Sequence, residues 1–255
     1  MNSELKRKAL AVSAGYGFDR LKIASALEYR VDDTQQPDTS FSKRTSWLLK
    51  NSLKCQLSED WRLIGKLNYA ESESSMGASY DGDYTEAVLG YAYRPIQDDR
   101  LNALFKYTYF YNVPATDQIN GTNTAADYVQ RSHIVSMDAM YDLTPRWTIG
   151  GKYAYRHGQV AQDRENPEFF KSRAHLFVLR VDWHFLFRWD ALLEGRMLDL
   201  PDAQDSRSGV LVGIYRQLGN HIKVGAGYNF SDFSDDLTQL DYKHQGLFIN
   251  VIGKF

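Results

Sequence analysis

Polar and apolar residues alternate along most of this chain, and the alternation falls into segments of strand length. In Trp61–Tyr69 one face carries Trp61, Leu63, Gly65, Leu67 and Tyr69, and the other carries Arg62, Ile64, Lys66 and Asn68. A period of two marks a strand with one face in an apolar medium and the other in water. Trp147–Tyr155 and Trp189–Met197 share the layout, and Leu21–Tyr29, Leu101–Tyr109 and Ile222–Phe230 are related, so one unit recurs six times. Each unit follows a short turn: Asp19-Arg20, Ser58-Glu59-Asp60, Asp98-Asp99-Arg100, Thr144-Pro145-Arg146, Phe187-Arg188 or Gly219-Asn220. Before each turn lies a second alternating run, namely Leu10–Phe18, Trp47–Leu57, Thr85–Tyr93, His133–Leu143, Phe177–Phe185 and Gly209–Gln217. A thirteenth run, Leu247–Phe255, closes the sequence.

Longer segments rich in Asp, Ser, Thr, Asn and Gly separate the hairpins, at 31–43, 71–82, 113–127, 157–170, 199–207 and 231–244. Short turns alternating with long polar loops predict an all-β fold, a transmembrane antiparallel β-barrel of thirteen strands forming one domain over residues 1–255. A bacterial barrel of this kind has an even strand number and both ends in the periplasm. Thirteen strands therefore predict either a missing upstream strand, fourteen in all, or a parallel pairing of the first and last. The start MNSELKRKALAVSAG imitates a signal peptide, but its apolar stretch Ala9–Ala14 falls short of the roughly 7–15 residues required and runs into an alternating segment, so it reads as strand.

The charges decide which face meets which medium. One face is nearly free of ionised groups. The other carries Lys22, Glu28, Lys50, Lys54, Arg62, Lys66, Glu86, Lys106, Asp138, Lys152, Arg180, Asp182, Asp190, Glu194, Arg196, Lys223 and Lys254, and these are the predicted lumen-lining residues. They comprise eleven cations and six acids, although the whole chain has a net charge of −2. An unneutralised excess would favour anions, as rings of Arg and Lys do in anion pores; mutual pairing would instead fill the lumen. Aromatics gather at the strand ends. Trp61, Trp147 and Trp189 sit beside the turns, and Tyr69, Tyr107, Tyr109, Tyr153, Tyr155 and Tyr228 sit toward the loops, as two interfacial girdles require.

Composition fits this arrangement and excludes others. Mean hydropathy is −0.48. The longest stretches without Asp, Glu, Lys or Arg are about ten residues, half the roughly 20 of a spanning helix. The 35 aromatics are abundant for so polar a chain, as a barrel facing both lipid and water demands. The near-neutral charge offers nothing to nucleic acid, and the single Cys55 can form neither an intrachain disulfide nor a cysteine metal cluster.

In the last segment Leu247, Ile249, Val251, Gly253 and Phe255 share the apolar face. This segment resembles the C-terminal assembly signal of bacterial outer-membrane barrels. Together, Gly225–Phe255, LGYAYRP at Leu89–Pro95 and YDLTPRWTIGGKYAYR at Tyr141–Arg156 resemble the C-terminal barrel of large Gram-negative surface proteins with upstream repeat domains. The resemblance implies an outer-membrane anchor or translocator with extracellular loops and a periplasmic C-terminus. Its implied partners are outer-membrane lipid and lipopolysaccharide and the barrel-assembly machinery. No cofactor is implied, and no extracellular partner is specified. A passive, mildly anion-selective porin-like channel for small solutes is the alternative.

Catalytic chemistry finds little support. His184 and His221 are expected near turns, His157 and His244 in outer loops, and His133 toward lipid, so no histidine converges with an acid and a nucleophile. Asp232, Asp235, Asp236 and Asp241 supply oxygen donors but lack the order of a calcium-binding loop, and read as a solvated surface.

The face assignment has a direct test. Leu67→Arg or Ile249→Arg is expected to cost about 2–4 kcal/mol near the bilayer midplane and to hinder assembly. Lys66→Gln or Lys152→Gln is expected to leave folding nearly intact while altering conductance. Refolding yield into lipid vesicles reads the difference, and equal damage from both classes would contradict the assignment.

Overall fold

A computed structural model describes residues 4–35, 41–76, 81–113, 128–163, 166–219, 221–231, 233, 237 and 246–253. The described residues form strands and connections and no helix. The strands are β1 (Glu4–Gly17), β2 (Leu21–Gln35), β3 (Phe41–Gln56), β4 (Trp61–Ser74), β5 (Gly82–Tyr93), β6 (Leu101–Val113) and β7 (Val129–Thr144). They continue with β8 (Trp147–Ala161), β9 (Phe170–Leu186), β10 (Trp189–Leu200), β11 (Asp205–Leu218), β12 (Ile222–Asn229) and β13 (Gly246–Gly253). All thirteen join one antiparallel sheet in sequence order.

Most strands outrun the alternating segments that predict them, reaching 17 residues in β9. Apolar alternation measures only the part of a strand that meets an apolar medium, and the polar ends go on pairing beyond it. His157 therefore lies in β8, paired with His133, rather than in a loop. The expected long loop at 199–207 shrinks to residues 201–204, where Gln204 turns back at φ 52°. Conversely, the connection at Asp98-Asp99-Arg100 extends over residues 94–100. It is tied to the preceding turn, because Arg94 and Ile96 donate backbone N–H groups to the carbonyl and carboxylate of Asp60, both at 2.9 Å. The basic start belongs to β1, and Cys55 is a free thiol.

One register joins the strands without a change of side. Leu27, Leu49, Tyr69, Thr85 and Tyr111 stand opposite one another in turn, while Lys50, Asn68, Glu86, Phe110 and Ser132 share the other face. A one-residue slip would exchange the faces of a whole strand. Burial gives the curvature: Thr108 and Ser136, on the charged face, are each 3% exposed, whereas Val135 and Leu179, on the apolar face, are 57% and 62% exposed. The charged face is thus concave, and the apolar face points outward. Among the described residues β1 pairs with β2 alone and β13 with β12 alone, so the sheet is not closed. With thirteen antiparallel strands the two edges run in the same direction, and the parallel closure considered from sequence is not formed.

Two glycines set the packing of the last strands. Tyr215 faces Gly225 across β11 and β12, and its Cδ1 lies 2.1 Å from where a Cβ on Gly225 would stand. Phe248 covers Gly227 likewise, with Cζ at 2.5 Å from the corresponding point. Gly195 has nothing within 4 Å of that point. Gly225→Val is therefore expected to cost at least the ~1–3 kcal/mol of overpacking and to depress refolding, whereas Gly195→Ala is expected to be tolerated. Heat-modifiable migration on gels distinguishes them.

Candidate functional site: the concave charged face

Every described residue expected on the inner wall lies on the concave face: Lys22, Glu28, Lys50, Lys54, Arg62, Lys66, Glu86, Lys106, Asp138, Lys152, Arg180, Asp182, Asp190, Glu194, Arg196 and Lys223. Lys254 and Phe255 lie outside the described residues, as do Asp232, Asp235, Asp236, Asp241 and His244. Sequence reasoning missed Arg7, Arg30, Asp32, Arg44, Asp142, Arg156, Asp205 and Arg207, which the same register places on this face. The signal for them was the parity of each strand carried past its apolar stretch.

The face divides into two unlike walls. On β7–β12 nearly every charge is matched. Arg180 grips Asp182 with Nε and Nη2 at 2.7 and 2.9 Å, and Arg196 Nε donates to Glu194 at 2.5 Å. Lys152 stands opposite Asp138. His184 and Lys223 both pair with Asp190, and Thr148 donates to Asp142. An acid shared by two bases, with no hydroxyl or thiol bonded to any of the three among the described residues, is an ion cluster rather than a nucleophile–base arrangement.

The wall on β2–β6 differs. It carries Lys22, Arg30, Arg44, Lys50, Lys54, Arg62, Lys66 and Lys106 against Glu28, Asp32 and Glu86, with Arg30 paired to Asp32 at 3.2 Å. Glu86 is heavily used: it accepts from Lys66 at 2.8 Å, from Tyr84 at 2.9 Å and from Asn68 at 3.1 Å. Lys22, Lys50, Lys54 and Lys106 make no ion pair or hydrogen bond among the described residues. Lys22 and Lys54 stand directly opposite each other, where like charges repel.

A third element is the segment after β12. Phe233 and Leu237, 4% and 6% exposed, pack on Ile134, Ala154, Ala174 and Leu176 of β7–β9. Arg156, 4% exposed, donates Nη1 to the Leu237 carbonyl at 3.1 Å and Nη2 to Ser172 Oγ at 2.8 Å. Phe233 and Leu237 thus cover part of the paired wall.

On the convex face the nine aromatics singled out from sequence all point outward, in two bands. Toward the short turns, Trp61 stacks on Tyr91 at 4.5 Å and Trp147 on Trp183 at 5.2 Å and 9°. Arg216 covers the Trp189 ring. Toward the opposite end, Tyr107 and Tyr153 hydrogen-bond His133 and His175 at 2.7 and 3.0 Å, and Tyr109, Tyr155 and Tyr228 pack on His133, His175 and Phe230. Tyr69 donates to Glu71 at 2.9 Å. Tyr69, Tyr107 and Tyr153 thus combine apolar area with a polar contact. Leu247, Ile249 and Val251 stand on this face, 74%, 71% and 68% exposed, with Gly253 in the same register.

No protein-family model and no curated protein matches the sequence. Solved structures do. The siderophore receptor PirA from Pseudomonas aeruginosa is similar with a TM-score of 0.62 and 11% identity, over 92% of this chain and 43% of that one. The copper transporter OprC gives 0.54 at 13% identity, over 94% and 46%, and BamA from Haemophilus ducreyi lacking POTRA domains 1-3 gives 0.52 at 10%, over 98% and 62%. The chain spans less than two thirds of each. All are outer-membrane β-barrels, and the sheet described above has their fold.

The rim provides a measurable electrostatic marker. Arg173 donates its backbone N–H and its guanidinium to Asp202, at 2.6 and 2.7 Å, and these bonds hold the Asp202 carboxyl down at about 2. With the folded value below the ordinary one, the pair is complete above about pH 4 and is lost as pH falls through about 2. Carboxyl NMR is expected to show that midpoint for Asp202, and Arg173→Gln to raise it toward the ordinary 3.8. A midpoint unmoved by the substitution would mean that Arg173 is not the cause.

Proposed function

We propose that this chain is a bacterial outer-membrane barrel whose concave face lines a water-filled, anion-favouring conduit for small solutes. The carrying observation is the asymmetry of that face: eight cations against three acids on β2–β6, opposed to a matched wall on β7–β12. Fixed positive charge beside a water-filled path lowers the barrier for anions and raises it for cations. The apolar convex face, with its aromatic bands, supplies the lipid contact, including lipopolysaccharide in the outer leaflet. Assembly by the barrel-assembly machinery, extracellular long loops, a periplasmic C-terminus and the absence of enzymatic activity belong to the same reading.

A second reading, a membrane anchor or translocator for a larger cell-surface protein, is favoured by one observation. The packing of Phe233 and Leu237 on β7–β9 occupies part of the concave face, as a plug does. Planar-bilayer recording of the folded protein separates the two. The conduit reading expects stable unit conductance with a reversal potential toward the chloride equilibrium potential in a KCl gradient. Lys22→Glu with Lys54→Glu is expected to move that potential toward potassium. Folded protein that inserts without conducting would establish the plugged anchor instead.

A further inference from the structure

The geometry points to a discrete binding site on the lysine wall for a small solute carrying two or more anionic groups, carboxylate or phosphate. The inference rests on the conduit reading, since the solute reaches the site through the concave face. Three rows of the sheet build it. In the first, Lys22 and Lys54 stand opposite each other; in the second, Lys66 stands beside Ser52; in the third, Lys50 stands beside Ala26. Rows two residues apart are about 6–7 Å apart along a strand, so the outer two rows lie about 13 Å apart, a span that flexible lysine stems close onto one multivalent anion.

The floor of this patch is open because its residues are small. Gly15, Ala24, Ala26 and Ser52 leave a trough of about 530 Å³ into which Lys50, Lys54 and Lys66 project. Larger side chains there would fill the space and carry the lysine stems apart. Of the four lysines, Lys66 has a partner, Glu86, whose carboxylate is already shared with Asn68 and Tyr84. Lys22, Lys50 and Lys54 have none among the described residues. Four cations with one shared acid, two of them directly opposed, hold a repulsion that a multivalent anion relieves and a neutral solute does not. The other wall shows the contrast, since there Asp182, Asp190 and Glu194 neutralise their neighbours internally.

Calorimetry on the folded chain in detergent tests the site with citrate, glucose 6-phosphate and glucose. The expected result is saturable citrate binding that weakens as KCl is raised, with glucose silent. Glucose 6-phosphate binding as tightly as citrate would identify a general anion site, and citrate alone a carboxylate site. Lys54→Gln with Lys66→Gln is expected to weaken citrate at least tenfold, and Arg100→Gln, in a turn off this face, to leave it unchanged. Heat-modifiable migration verifies that each variant folds. Should the single variants Lys54→Gln and Lys22→Gln both fold and bind citrate like the parent, the proposal is overturned, as it is if no anion binds. Anion-selective conductance without block by citrate would overturn the site and leave the conduit standing. Citrate binding in a protein that does not conduct would overturn the conduit alone.

Discussion

Backbone pairing is the constraint on which the rest of this molecule depends. In hydrocarbon an unpaired N–H or C=O costs several kcal/mol, so a strand can cross only when both neighbours satisfy it. From β2 to β12 each strand has two antiparallel partners, and the registers run without a change of side apart from irregularities beside the short turns at Asp142 and Trp189. That continuity turns the period of two in the sequence into two continuous surfaces. Apolar area exposed on one of them would in water drive association; in the proposed barrel it is the surface that meets lipid.

The concave surface then inherits whatever the alternate positions supply. On β7–β12 those positions supply acids and bases in near-equal number, placed two residues apart or directly opposite, and the side chains neutralise one another. On β2–β6 they supply mainly cations, and the three acids there, Glu28, Asp32 and Glu86, leave Lys22, Lys50, Lys54 and Lys106 without a partner among the described residues. The two walls are products of one alternation rule filled with different residues. Their difference is chemical, and the backbone is indifferent to it.

This explains what could be read from sequence and what could not. The faces of Lys66, Leu67, Trp147 and Lys152 follow from parity alone, because a strand gives its side chains only two directions. Strand ends were less legible, as with His157, because pairing continues past the apolar region that marks a strand. The burial of Arg156 against Ser172 and Leu237 was not legible, since it depends on how a distant connection packs on three strands. Nor could parity show that Glu86 serves three donors while Lys22 and Lys54 have none.

The aromatic rings of Tyr215 and Phe248 resting over Gly225 and Gly227 make the last three strands a keyed joint. Sliding β12 by two residues against β11 would keep every apolar side chain outward and restore most backbone bonds, so hydropathy alone scarcely opposes that error. It would, however, bring Tyr215 over Lys223 or Gly227 instead of the vacant Cα of Gly225. Slides in the two directions are therefore not equivalent, and one of them sets a ring against a filled position. Steric fit at two points thus proofreads an alignment that the alternation leaves degenerate.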